Sequence, residues 1–562
     1  MDATGGKGDG VVERWIVDNE PSKRYPIYTR ANVGEVFPDP VTPLSATIGI
    51  NELSEPGWRD AWERFGVFTL DEYDPDNNEI IGVFGGYCYL NVSLSRIVGV
   101  RTPGLTPEII DQTFFGAQPG VPPYQPTPTD AKDERTTAVG ATLQWILTTD
   151  DLPELLEDEE LLADLRRERP DVTKLHDDEL LVGYENLMRT HFRRLFSRHI
   201  FTTYAATVPA GIIQQVCAAV GQPDGALKLM AGVGDVESAA PSYAMWELSR
   251  LDPQSAAFAE GWATFVRDYG SRGPNEWEGR SPTWETDPDL AFAAIDQMRK
   301  APERMAPTLQ NEARADERLA LGAAITDALA GDPETQGQFV AALNAATIFL
   351  AGRERSKTNA IKLVHEGRVL LRELGKRMVE RGLLDDERDI PFLRADELHD
   401  WLADPAAWLD EIRDRKITYE ELGTVEPPFV FEGSPPPLAM WPKRDSRPVA
   451  VAGPGDELLG IPGCPGQATG RARVVLDPHD PTSLHPGDIL VAPITDPSWT
   501  PLFVPAAAVV VDVGAPLSHA IIVSRELGIP CVVSVTDGTR RIPDGALVSV
   551  DGDTGTVTIL EV

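Results

Sequence analysis

From about residue 130 to 409 the apolar positions recur every three or four residues, the period of one helix face. LPELLEDEELLADLRRER predicts a helix that stops at Pro170, whose ring cannot continue it. NAIKLVHEGRVLLRELGKRMVERGLL predicts a second long amphipathic helix, ended by Gly382. Upstream, from Trp15 to about Arg101, the pattern is mixed. IIGVFGGYCYLNVSL (80–94) is aromatic and β-rich, and FPDPVTPLSA is a proline-punctuated loop. Beyond residue 456 the apolar runs shorten to ARVVL, DILVAP, AAVVVDV, PCVVSV, ALVSVD and TVTIL, a series of strands bounded by turns such as HPGD and PDGA. One helical run, 519–527, interrupts them, and no internal repeat is present.

These patterns divide the chain. Residues 1–12 read as a disordered tail, and 13–423 as a mostly helical unit with a mixed α/β start to about 129. TVEPPFVFEGSPPPLAMWPKRDSRP (424–448) holds seven prolines and little periodicity, so 424–455 reads as a semi-rigid hinge linker. Residues 456–562 form a compact α/β unit of common domain size. The expected fold class is multidomain α+β, a largely helical substrate-binding domain followed by a C-terminal α/β domain.

Composition narrows the function. A chain of 562 residues exceeds what one core supports. The net charge of −37 repels nucleic acid and anionic membranes, which excludes both as main partners. The four cysteines have no CxxC spacing, which implies a reducing compartment and no disulfide framework. The N-terminus has no signal-peptide core and no run of about 18 apolar residues occurs, so a cytoplasmic location is expected. His191 and His199 share a helical face without a third ligand, and His365-Glu366 lacks the H-E-x-x-H spacing, so no metal site is expected.

The chemistry concentrates in GAPLSHAIIVSRELGIP (514–530). Gly528 suits the position past a helix end and Pro530 blocks continuation, so the helix begins at Ser518 or His519. Ser518 is a good N-cap, its hydroxyl accepting an orphan backbone N–H. A helix N-terminus offers free N–H donors and partial positive charge, which suits a phosphoryl group and keeps His519 neutral and nucleophilic. An imidazole nitrogen can take up a phosphoryl group and later surrender it. On geometry alone, a capping histidine packed on the sheet reads equally well.

The segment resembles the phosphohistidine motif of the swivelling domain in phosphoenolpyruvate-utilising enzymes. Gly514, Ser518, His519, Ala520, Arg525, Glu526, Gly528 and Pro530 fall on that pattern, and Ala515 replaces its second glycine. GCPGQATGRARVV (463–475) and GTRRIPDGALVSVDGDTGTV (538–557) are similar to the same domain's first and last strands. The resemblance implies His519 as the phosphorylated residue, Ser518 beside it, and Gly514, Leu517 and Arg525 as phosphate-loop residues. Asp496, Trp499 and Thr500 then support the His519 loop.

The region before the hinge resembles the substrate-binding part of the rifampicin phosphotransferase branch, in RANVGEVFPDPVTPLS, YGSRGPNEWE and GRERSKTNAIKLVHEGRVLLRELGKRM. By that resemblance Arg353 and Lys357, four apart on one helix face, meet the phosphoryl group near the acceptor; a surface Arg-Glu-Arg-Ser-Lys face reads equally well. Asn32, Glu35, Arg272 and Glu276 are candidate substrate-binding residues. Arg272 with Glu276 reads more readily as a structural salt bridge, and Asn32 and Glu35 read equally as structural residues of a turn-rich loop. Ser271 stands where relatives carry histidine. No segment resembles an ATP-grasp module, and TGGKGDG lacks P-loop spacing. The expectation is therefore a phosphotransferase component that binds no cofactor itself. A separate ATP-grasp partner using Mg-ATP would charge it, and the acceptor would be a small molecule. A phosphoenolpyruvate-charged enzyme and a degenerate binding or regulatory protein are the alternatives.

Overall fold

The computed structural model describes residues 14–115, 120–223, 225–230, 240–444, 446, 448–478, 484–514 and 518–562. The tail read at 1–12 lies outside them. Among the described residues twelve strands form two sheets. The smaller contains β1 (Ile27–Thr29), β2 (Ile81–Phe84), β3 (Tyr87–Asn91) and β4 (Val430–Glu432), in the order β2-β3-β1-β4 with every pair antiparallel. Gly85 and Gly86, at φ of 57° and 81°, make the two-residue turn of the β2–β3 hairpin, where both positions need left-handed backbone. The β-rich run was expected to reach Leu94, but the strand ends at Asn91. The Asn91 side chain accepts the Leu94 N–H at 3.0 Å and starts the helix Val92–Arg101 instead.

The helical unit is built on two long rods, Arg193–Ala219 and the 48-residue Pro333–Glu380, which pack along each other. The amphipathic run 359–384 is the second half of the longer rod, and Gly382 follows its end at φ 72°. Gly352 sits where the helices come closest: a Cβ there would lie 2.6 Å from Leu152 and 3.3 Å from Thr202. This close approach fixes the height at which the next residue, Arg353, leaves the rod.

The second sheet comprises β5 (Glu457–Leu459), β6 (Ile461–Cys464), β7 (Gln467–Val474), β8 (Ile489–Ala492), β9 (Ala508–Val511), β10 (Cys531–Val533), β11 (Leu547–Asp551) and β12 (Thr556–Glu561). Its order is β5-β12-β11-β7-β8-β9-β10-β6, with β7 to β10 parallel and the flanking strands antiparallel. The helix His519–Leu527 is the crossover between the parallel neighbours β9 and β10. One apolar cluster joins this unit to the helical one: Trp246, Phe265 and Trp284 pack with Trp499, Phe503 and Ile521.

The linker expectation needs correction. Residues 424–444 belong to the first unit: β4 pairs with β1, and Phe431 and Trp441 are buried with Tyr28, Phe84, Tyr87 and Tyr89. Tyr87 and Tyr89 donate their hydroxyls to the carbonyls of Leu422 and Pro428 at 2.8 and 2.9 Å. Proline density did not mean a free tether here, because aromatic side chains between the prolines supplied enough apolar area to dock the segment. At the far end, the Ala452 N–H already donates to Arg541 at 2.8 Å in the second unit. The connection between units therefore runs only from Arg444 to Ala452. Replacing Trp441 by alanine is expected to cost ~3 kcal/mol and release the 424–444 segment. Limited proteolysis should then cut within it in the variant and spare the parent chain.

Candidate functional site

In a parallel crossover the helix N-terminus lies beyond the carboxyl end of the preceding strand, where open α/β sheets bind ligands. His519 occupies that position after β9. Gly514 is required there by space, since a Cβ would sit 2.8 Å from Val533 and 3.2 Å from Ser518 Oγ. Ser518 has the extended backbone of an N-cap (φ −69°, ψ 158°), yet its side chain makes no capping bond. Its buried Oγ, turned against Gly514, has no hydrogen-bond partner among the described residues. The expectation of a hydroxyl cap is thus corrected. The Glu35 carboxyl of the other unit lies near the His519 backbone.

The His519 ring is held from both sides. Nδ1 lies 3.1 Å from Thr495 Oγ1, Nε2 lies 3.0 Å from Thr500 Oγ1, and the Phe503 ring stands edge-on at 6.1 Å. Burial, followed by the charges of Lys357 and Arg272, holds its pKa well below the ordinary imidazole value, so the ring is neutral at physiological pH.

Facing it is a cationic wall. Lys357 Nζ lies 3.0 Å from Glu276 Oε1, and Arg272 Nε lies 3.3 Å from Glu276 Oε2. Arg272 also donates to Thr358 Oγ1 at 3.1 Å. Glu276, 2% exposed, is thereby shared between two cations, while Arg353 lies one turn before Lys357 on the same rod. Glu35, on the short helix Val33–Val36, faces Arg353 and Lys357, and burial pushes its carboxyl up to about 7 despite them. The two units are also pinned by the Asn275 N–H, which donates to Asp496 Oδ2 at 2.8 Å.

A cavity of about 2050 Å³ opens from this point, with Gly514, His519, Asn32, Glu35, Glu276, Arg353 and Lys357 on its walls. Further in, Trp58, Phe192, Phe196, Tyr204 and Trp277 supply an aromatic lining. Asn32 adopts left-handed backbone at φ 65°, which turns the chain so that Glu35 faces His519. Arg272 lies behind the wall as the partner of Glu276. Arg525 lines the same cavity, and its Nε donates to the Gly463 carbonyl at 3.0 Å, tying the last helical turn to β6, while burial lowers its pKa to about 10. It lies six residues beyond His519, ~9 Å along the helix. Leu517 and Ala515 lie outside the described residues. Sequence reasoning passed over Thr495 and Asn275, whose roles come from contacts across sequence-distant segments. Thr500 and Asp496 carried a signal only through the family motif. Among the described residues no three His, Cys, Asp or Glu side chains are grouped to hold a metal, and no helix is long and apolar enough to cross a membrane.

Residues 484–555 match the PEP-utilising enzyme mobile domain, and 198–354 match the rifampicin phosphotransferase fourth domain. In these two segments the chain is similar to phosphoenolpyruvate-utilising enzymes of the rifampicin phosphotransferase kind. An uncharacterised protein of Mycobacterium tuberculosis is 27% identical across 97% of this chain and 62% of its own length. The rifampicin phosphotransferase of Streptomyces sviceus is 32% identical over 56% of this chain and 36% of its own. That of Bacillus cereus is 32% identical over 38% and 24%. The chain therefore spans less than two thirds of each of these relatives.

The Glu35 carboxyl gives a pH test. Its pKa of about 7 in the folded chain lies above the ordinary value of 4.5, so the fold favours its protonated form. Its stabilising contribution is full below the ordinary value and is lost as pH rises through 7. Glu35→Gln should match the parent near pH 4 and exceed it at pH 8 by about 1 kcal/mol, after allowance for solvent screening. Thermal melting of the pair across pH 4–8 reads the difference, and parallel curves would refute the assignment.

Proposed function

We propose that this chain carries a phosphoryl group on His519 and delivers it to a hydroxyl of a large, mostly aromatic or apolar small molecule held in the cavity. The observation that carries the reading is that a neutral imidazole opens onto the same cavity as Arg353 and Lys357. In the charging step a ring nitrogen attacks phosphorus, a P–N bond forms, and the P–O bond to the donor's leaving group breaks. In the second step the acceptor oxygen attacks, an O–P bond forms, and the P–N bond breaks. Arg353 and Lys357 stabilise the charge spread over the three equatorial oxygens, as cations do in phosphoryl transfer generally. Glu35 gives way to the phosphoryl group or takes up a proton.

The acceptor class follows from the aromatic lining and the cavity's size, larger than a typical drug-sized pocket. The relatives named rifampicin phosphotransferase support the reaction class. The donor in this reading is ATP with magnesium, used by an ATP-grasp protein separate from this chain. The mobile unit then travels between donor and acceptor on the Arg444–Ala452 connection.

The test is peptide mass analysis of the chain after incubation with ATP, with and without an extract of its own cells. Phosphoenolpyruvate replaces ATP in a parallel arm. An acid-labile phosphoryl group is expected on the His519 peptide only with ATP and extract together, and His519→Ala should abolish it. Charging from ATP by the chain alone would remove the partner from the proposal. Charging from phosphoenolpyruvate would replace the donor. No label in any arm would sink the phosphotransfer reading.

A further inference from the structure

His199 emerges from the helix Arg193–Ala219 into the same cavity as His519, and the reaction above assigns it nothing. Its ring packs beside Trp277 at 6.0 Å with a tilt of 31°, so it has little freedom to turn. Nδ1 lies 3.2 Å from Ser356 Oγ. Ser356 donates its own proton to the Arg353 carbonyl at 2.9 Å, so its oxygen can only accept from His199. This relay fixes the tautomer with the proton on Nδ1 and the lone pair on Nε2. Among the described residues Nε2 receives no hydrogen bond. The group anchoring the ring is thus one turn of the rod that carries both Arg353 and Lys357.

Resting on the phosphotransfer reading, we propose that His199 Nε2 is the base that removes the proton of the acceptor hydroxyl as it attacks the phosphoryl group on His519. The step balances. The acceptor O–H proton goes to Nε2, and the freed electron pair forms the O–P bond. The P–N bond breaks, and His519 leaves as a neutral imidazole because its other nitrogen already carries a proton. The His199 imidazolium then returns its proton to water.

The charges around His199 make this base conditional. Arg353 and Lys357 face it from the long rod, Glu276 is paired with Lys357 from the 275–278 loop, and Glu35 faces the same cations. Burial and those two cations lower its pKa to about 3. A phosphoryl dianion seated between the cations compensates them and moves His199 back toward the ordinary imidazole range. The base is therefore weak until the reacting group arrives, which protects the empty cavity from unproductive chemistry.

The experiment charges the full chain at His519 with phosphoramidate, a small phosphoryl donor that needs no partner. It then follows loss of the phosphoryl group to water and to added benzyl alcohol. His199→Ala should charge normally and discharge roughly 10²-fold more slowly, within the usual range for removing a general base. Its pH–rate profile should lack the rise on ionisation that the parent shows, and free imidazole should restore part of the rate. Ser356→Ala, which frees the tautomer without removing the base, should slow discharge less and gain nothing from imidazole. Equal rates in parent and His199→Ala would overturn the proposal. So would a slower variant with an unchanged pH profile and no response to imidazole, which marks a structural role. Failure of His519 to accept a phosphoryl group from phosphoramidate would remove the phosphotransfer reading and this proposal with it, whereas normal charging with unaltered discharge removes this proposal alone.

Discussion

The site depends on gathering positive charge in a place with little water. Arg353, Lys357 and Arg272 approach the N-terminus of the His519 helix, itself a partial positive charge, and the fold must offset the repulsion. Glu276 does so, shared by Lys357 and Arg272, while Glu35, whose carboxyl burial pushes up to about 7, faces Arg353 and Lys357. Neither acid comes from the rod that carries Arg353 and Lys357. The cationic wall is therefore a joint product of the small-sheet region, the 270–285 loop and the long rod. A dianion entering this region meets charges already oriented, so little reorganisation accompanies its arrival.

The same arrangement couples the two units. Apolar packing of Trp246, Phe265 and Trp284 against Trp499 and Phe503 holds the α/β unit in place, and the Asn275–Asp496 bond sets its register. With 424–444 docked on the small sheet, the connection between the units is confined to the stretch from Arg444 to Ala452, and His519 opens onto the cavity.

Local signals were enough for the elements near His519. Gly528 at φ 74° ends the helix where the sequence placed its end, and Ser518 and His519 mark its start. The strand runs from 472 to 560 lie on observed strands, because each is a short β-branched stretch between turn residues. The reading failed where side chains act over distance. Proline content suggested a free linker, yet Phe431 and Trp441 found an aromatic cluster some 340 positions earlier in the chain. Ser518 looked like a hydroxyl cap, but its buried Oγ makes no capping bond among the described residues.

Spacing along one chain segment is a property of that segment. The 3.6-residue period, the glycine past a helix end and the motif around His519 could accordingly be read directly, and with them the mixed α+β architecture and the helix that begins at His519. The cavity could not. Its walls come from residues near positions 32, 58, 199, 276, 353 and 495, brought together by packing of the two rods at Gly352 and by docking of the α/β unit. Charge and tautomer were equally hidden. The pKa values of Glu35, His199 and His519 follow from burial and from cations hundreds of positions away. Electrostatic energy depends on distance through space and on exclusion of water, and neither is encoded in the order of residues until the chain has folded.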